Sequence, residues 1–113
     1  MKKKYYHQKL IRDKIPEKIK STGDEYKTRI LGKVEFEKEL KKKLVEESKE
    51  LFKTSKEELL NELADVLELT KSISSLYKIP FSRVEKFQEE KRKTRGGFKK
   101  KLFLIWSTGK AGK

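Results

Sequence analysis

Cysteine is absent from this chain, and histidine occurs once, as His7. No disulfide framework, thiolate nucleophile or cysteine-type zinc site can therefore be built. A lone histidine in a basic segment cannot hold zinc by itself, and His7 reads as a surface or packing residue. No apolar run approaches the length needed to span a membrane, and no apolar stretch follows the basic start at Met1 to Lys4. The expectation is a cytoplasmic protein with no membrane partner. Neither G-x-x-x-x-G-K-[ST] nor G-x-G-x-x-G occurs, so any nucleotide chemistry has to rest on metals and basic side chains. Hydrophobic residues make up only 34% of the chain. A core built from one copy would be thin, and helical proteins of this kind add core by oligomerising.

Charge is what the chain has in excess. Lys and Arg number 31 against 18 Asp and Glu, a formal net charge of +13. Such a charge attracts polyanions, so nucleic acid is a possible partner. It is not the favoured one. The lysines are spread over all segments, and aromatics are not interleaved with them as a stacking platform requires.

The chain has 113 residues, which fits one domain over 1–113, with 1–8 and 107–113 expected to be flexible. Both prolines mark helix boundaries. Pro16 opens a short helix that ends near Ser21-Thr22-Gly23. Residues 24–33 form a connection, with Tyr26 to Leu31 briefly extended. A first long helix runs from Val34 to Lys53. Ser55 with Glu58 makes a capping box for a second, which runs to Lys78 and stops before Ile79-Pro80. Ser82 with Glu85 opens a third, which ends at Arg95 before Gly96-Gly97. Leu102 to Trp106 are five consecutive apolar residues, suited to a buried strand or a segment packed on a partner. The expected class is all-α, with three long helices, a short N-terminal helix and short extended segments at the termini.

Two carboxylate motifs interrupt the apolar faces of the first two long helices. Residues three and four apart share a helix face. With Leu40 as reference, Phe36, Leu44 and Leu51 form an apolar stripe, and Glu47 falls about 20° from its line. Glu50 lies at the edge, and Glu46 points to solvent. On the second helix, Leu59, Leu63, Val66, Thr70, Ile73 and Tyr77 make the stripe. Glu62 sits about 60° off its centre and Asp65 about 120° off, near the border. Buried unpaired carboxylates cost several kcal/mol, so such groups are paired, protonated or metal-bound. Four of them on facing helices repel one another unless a hard cation intervenes, and Mg²⁺ takes oxygen ligands in octahedral geometry. Isolated E-x-x-E motifs also occur as solvated helix charge, which remains the alternative. On the third helix, Val84, Phe87 and Gln88 mark the inner face, and Lys91 and Arg95 continue it. They suit either the helix dipole or an inward phosphate chain.

With Glu47 and Glu50, then Glu62 and Asp65, then Lys91 and Arg95, the chain resembles the all-α NTP pyrophosphohydrolases. This is the superfamily of MazG, dimeric dUTPases and phosphoribosyl-ATP pyrophosphohydrolase. The opening Lys9-Leu10-Ile11-Arg12-Asp13-Lys14-Ile15-Pro16 and the closing Lys91-Arg92-Lys93-Thr94-Arg95-Gly96-Gly97-Phe98 look like its small stand-alone members, so the likeness spans about residues 9–105. It implies a MazG-like helical bundle that forms a homodimer or dimer of dimers. It also implies Mg²⁺-dependent hydrolysis of a nucleoside triphosphate between the α and β phosphates, giving monophosphate and pyrophosphate, in the house-cleaning of non-standard or surplus (d)NTPs. By the same likeness, Glu47, Glu50, Glu62 and Asp65 hold the metal, with Mn²⁺ as a substitute. Glu47 or Glu50 also activates the attacking water, and Lys91, Arg95 and Arg92 hold phosphate, with Arg12 and Lys14 as further candidates. The alternatives are a non-enzymatic basic helical nucleic-acid-binding protein, supported by charge alone, and an interaction module whose acidic motifs serve as salt bridges.

Overall fold

A computed structural model describes residues 3–110, so part of the flexibility expected of 1–8 and 107–113 falls on residues outside the described ones. Four helices follow one another: α1 (Ile15–Ser21), α2 (Lys33–Lys53), α3 (Leu59–Leu76) and α4 (Phe81–Arg95). No strand forms among the described residues. The fold is all-α, and the segments expected to be extended at Tyr26 to Leu31 and Leu102 to Trp106 are irregular. None of the described helices is long and apolar enough to cross a membrane. The chain divides into two compact units, Met1–Ile79 and Pro80–Lys113.

The first unit is built on α2 packed against α3. Only residues 54–58 connect them, which makes the two helices antiparallel neighbours. Leu40 (3% exposed) and Leu69 (7%) are the buried apolar residues among those described. Phe36, Leu44 and Leu51 of α2 are half-buried beside them, as the helical period predicts. Each fully buried leucine contributes roughly 1.5–3 kcal/mol, so this core is small for a domain that must offset its chain entropy.

The seam on α3 differs from the predicted stripe. Leu59, Leu63 and Tyr77 are exposed, whereas Glu62, Asp65, Val66, Thr70, Ile73 and Leu76 are half-buried around Leu69. Measured from Leu69, Glu62 lies about 20° away and Asp65 about 40°. The acids thus sit on the inner face, not at its border. Apolar residues surround most of α3, so periodicity cannot choose between its two stripes, and packing on α2 decides. The other stripe, Leu60, Leu63 and Leu67, is left 80%, 50% and 47% exposed.

The helix ends also correct the expected caps. No side-chain cap forms at Glu58 or Pro80. Ser55 instead accepts, through its carbonyl, the Glu58 N–H in a turn that precedes α3. The C-terminus of α3 falls short of Lys78, which takes the left-handed conformation at φ 58°. Its N–H reaches the Ser75 carbonyl and that of Ile79 reaches Ser74, so two orphan carbonyls are satisfied. Ser74, itself buried, donates its hydroxyl to the Ile79 carbonyl.

A second tie joins the helices at the end remote from their connection. The Tyr77 hydroxyl donates to the Glu37 carboxylate. Lys41 Nζ donates to Glu37 at 3.0 Å and to the Tyr77 oxygen at 2.7 Å. The Tyr77 bond first, then the Lys41 bond, holds the Glu37 carboxyl below its usual range. A lowered carboxyl pKa means the unfolded chain binds more protons, so this stabilisation is present at neutral pH and lost as pH falls through the carboxylate range. Tyr77→Phe is therefore expected to lower the melting temperature at pH 7 and to narrow the gap between pH 7 and pH 3. An unchanged gap in thermal melts would show that the cluster does not couple folding to pH.

The second unit holds α4. Phe81 and Val84 are half-buried, but Phe87 and Gln88, expected on its inner face, are exposed. Gly96 ends the helix at φ 81°, a conformation that suits glycine. Beyond it, Phe98, Phe103 and Trp106 are 97%, 90% and 77% exposed.

Candidate metal centre

α2 presents Glu47 nearly two turns before its C-terminal end at Lys53, and α3 presents Glu62 and Asp65 in its first two turns. Both sets lie near the short connection, so the antiparallel pairing brings them together. Glu47, Glu62 and Asp65 each offer a carboxylate oxygen within 4.8 Å of the others, and all three side chains are half-buried. Glu62 Oε2 is sealed from solvent and has no hydrogen-bond partner. A buried acceptor without a donor is costly and calls for a proton or a cation.

The electrostatics point the same way. Contact with the Glu47 carboxyl, then burial, then the negative charges of Glu47, Asp65 and Glu50 push the Glu62 carboxyl above its usual range. Two carboxylates cannot hydrogen-bond to each other unless one keeps a proton. An orphaned buried oxygen within an all-oxygen donor set fits a hard divalent cation such as Mg²⁺ or Mn²⁺.

Of the four acids expected as ligands, the structure gathers three. Glu50, one turn further along α2, is exposed and stays outside the group, although its charge acts on Glu62. Glu46 is exposed, as expected. Compared with known proteins, the chain matches no family model, no curated protein and no solved structure.

Arg12 is the contribution that spacing did not foretell. Its Nη2 donates to Asp65 Oδ1 at 2.7 Å across 53 residues of sequence. The sequence marked Arg12 as a candidate for phosphate but carries no signal for this partner. Lys14, at the N-cap of α1, is exposed and makes no ion pair among the described residues. Lys91, Arg92 and Arg95 are exposed on the last two turns of α4, in the second unit. Lys91 lies over the Phe87 ring, 5.3 Å from its centroid.

Proposed function

We propose that this chain is a Mg²⁺-dependent nucleoside triphosphate pyrophosphohydrolase of the MazG-like kind, cleaving between the α and β phosphates to release monophosphate and pyrophosphate. The observation that carries the reading is the group of Glu47, Glu62 and Asp65, with the unpartnered, buried oxygen of Glu62 inside it. When bound, the cation would offset charge on the phosphate oxygens. Glu47, Glu62 and Asp65 would hold it, at a position set by two helices rather than by a loop. Glu50 is exposed and one turn from Glu47, where it can orient and deprotonate a water from the solvent side. Lys91, Arg95 and Arg92 are the cations that the resemblance assigns to the phosphates.

We also propose that the protein works as a homodimer or a dimer of dimers. The small core, two buried apolar residues among those described, and an exposed leucine stripe on α3 support this, because a second copy would supply the core that one copy lacks.

The test is pyrophosphate release from a panel of standard and modified NTPs and dNTPs, with and without Mg²⁺. Mg²⁺-dependent pyrophosphate, rather than single phosphate, is expected. No release from any nucleotide by folded protein would overturn the reading. The second reading is nucleic-acid binding. Residues 80–113 carry eleven Lys and Arg against three Asp and Glu, and the aromatics after α4 are exposed. It predicts salt-dependent affinity for DNA or RNA that is indifferent to the acidic group.

A further inference from the structure

The segment before α1 holds a cation against the acidic group, and its geometry leaves that cation in use on one side only. Arg12 reaches Asp65 through Nη2. Its side chain is 58% exposed, against 29% for Asp65, and among the described residues this is the one acceptor its guanidinium has. A guanidinium carries five N–H groups in a rigid planar fork. One of these N–H groups is held by Asp65, and the other four have no acceptor among the described residues, on a side chain more than half exposed.

The sequence alone has Arg12 only as a candidate for phosphate; its tether to Asp65 specifies the mode. We propose that Arg12 is a substrate-positioning residue which, held by Asp65, presents its free N–H groups to the phosphate chain of a substrate bound at the acidic group. This rests on the reading of that group as a divalent-cation centre. It makes the segment before α1 part of the binding site. Asp65 then does two things: one of its oxygens fixes Arg12, and its carboxylate belongs to the set of three. A lysine at position 12 keeps the charge but presents a point donor that cannot bridge an acid and a phosphate in one plane.

The experiment separates phosphate recognition from metal binding. Full-length wild type, Arg12→Ala and Arg12→Lys are titrated calorimetrically, first with Mn²⁺ alone and then with magnesium tripolyphosphate, which carries the phosphate chain without a base. Arg12 is exposed, and circular dichroism is the check that the variants keep their helices. Arg12→Ala is expected to weaken tripolyphosphate binding by about ten- to a hundredfold while Mn²⁺ affinity stays within about threefold, and Arg12→Lys is expected to fall between. An equal loss of Mn²⁺ and tripolyphosphate affinity would overturn the inference, because Arg12 would then only orient Asp65. Unchanged tripolyphosphate affinity would overturn it as well. If wild type binds Mn²⁺ but no tripolyphosphate, the inference fails and the cation centre stands. If wild type binds no Mn²⁺, the reading of the centre fails and takes the inference with it.

Discussion

Replacing Glu62 by Gln is expected to lower Mg²⁺-dependent pyrophosphate release by at least about a hundredfold and, in the metal-free protein, to raise the melting temperature at neutral pH. The two effects have opposite signs because one group causes both. Glu62 lies against Glu47, half-buried with one oxygen sealed from solvent and surrounded by negative charge, and its carboxyl is pushed up. A carboxyl with a raised folded-state pKa binds more protons in the native state than in the unfolded one. Stability at this site therefore falls as pH rises from the usual carboxylate range through the raised value. Glutamine carries no charge and can donate to Glu47, so E62Q escapes that loss. Wild type and E62Q should converge in melting temperature at acid pH, where Glu62 is protonated, and diverge as pH rises. Adding Mg²⁺ should stabilise wild type and not E62Q, since a ligand stabilises only the form that binds it. Full pyrophosphate release by E62Q would remove the acidic group from the mechanism. Destabilisation of E62Q at every pH would show that Glu62 serves a structural pair instead.

Leu40→Ala is expected to cost about 2–5 kcal/mol, the range for emptying a buried leucine site. Against a typical stability of about 5–15 kcal/mol, that brings the unit close to unfolding, because Leu40 is 3% exposed and Leu69 is its buried counterpart among the described residues. The informative contrast is Leu67→Lys. Leu67 is 47% exposed, and a surface change of this kind usually moves stability by no more than about 0.5 kcal/mol. If the stripe of Leu60, Leu63 and Leu67 is covered by a second copy, Leu67→Lys should instead lower the melting temperature markedly, and wild type should melt higher as its concentration rises. Chemical denaturation and light scattering read both. A Leu67→Lys protein that melts like wild type at every concentration would leave the stripe without a partner, and the proposed dimer would have to form elsewhere.

Much of the fold was legible in the chain because its signals are local. The end of α1 at Thr22-Gly23 and that of α4 at Gly96 follow from glycine's access to positive φ, and the span of α2 follows from an apolar period that only one face satisfies. The same period placed Glu47 among Leu40, Leu44 and Leu51 and turned Glu46 outward, which the structure also shows. Local patterns failed where a competing contact was not local. The capping boxes at Ser55 and Ser82 were spelled correctly but do not form, because the backbone turns before α3 and α4 begin at other residues.

What sequence by itself determined, then, is the inventory: an all-helical chain, without thiols, carrying two spaced pairs of carboxylates on consecutive helices and a large positive charge. Tertiary structure decided how that inventory is used. α3 has apolar residues on two faces, and only its packing on α2 chose the one that carries Glu62 and Asp65 inward and leaves Leu60, Leu63 and Leu67 outside. The pairing left Glu50, at the edge of α2's own apolar face, outside the three acids that converge. It also gave Arg12 its partner in Asp65, a contact across 53 residues for which no local spacing exists. The physical reason is the same in each case. Helix propensity and periodicity act within a turn or two, whereas the cost of crowding and burying carboxylates exists only after two helices have met.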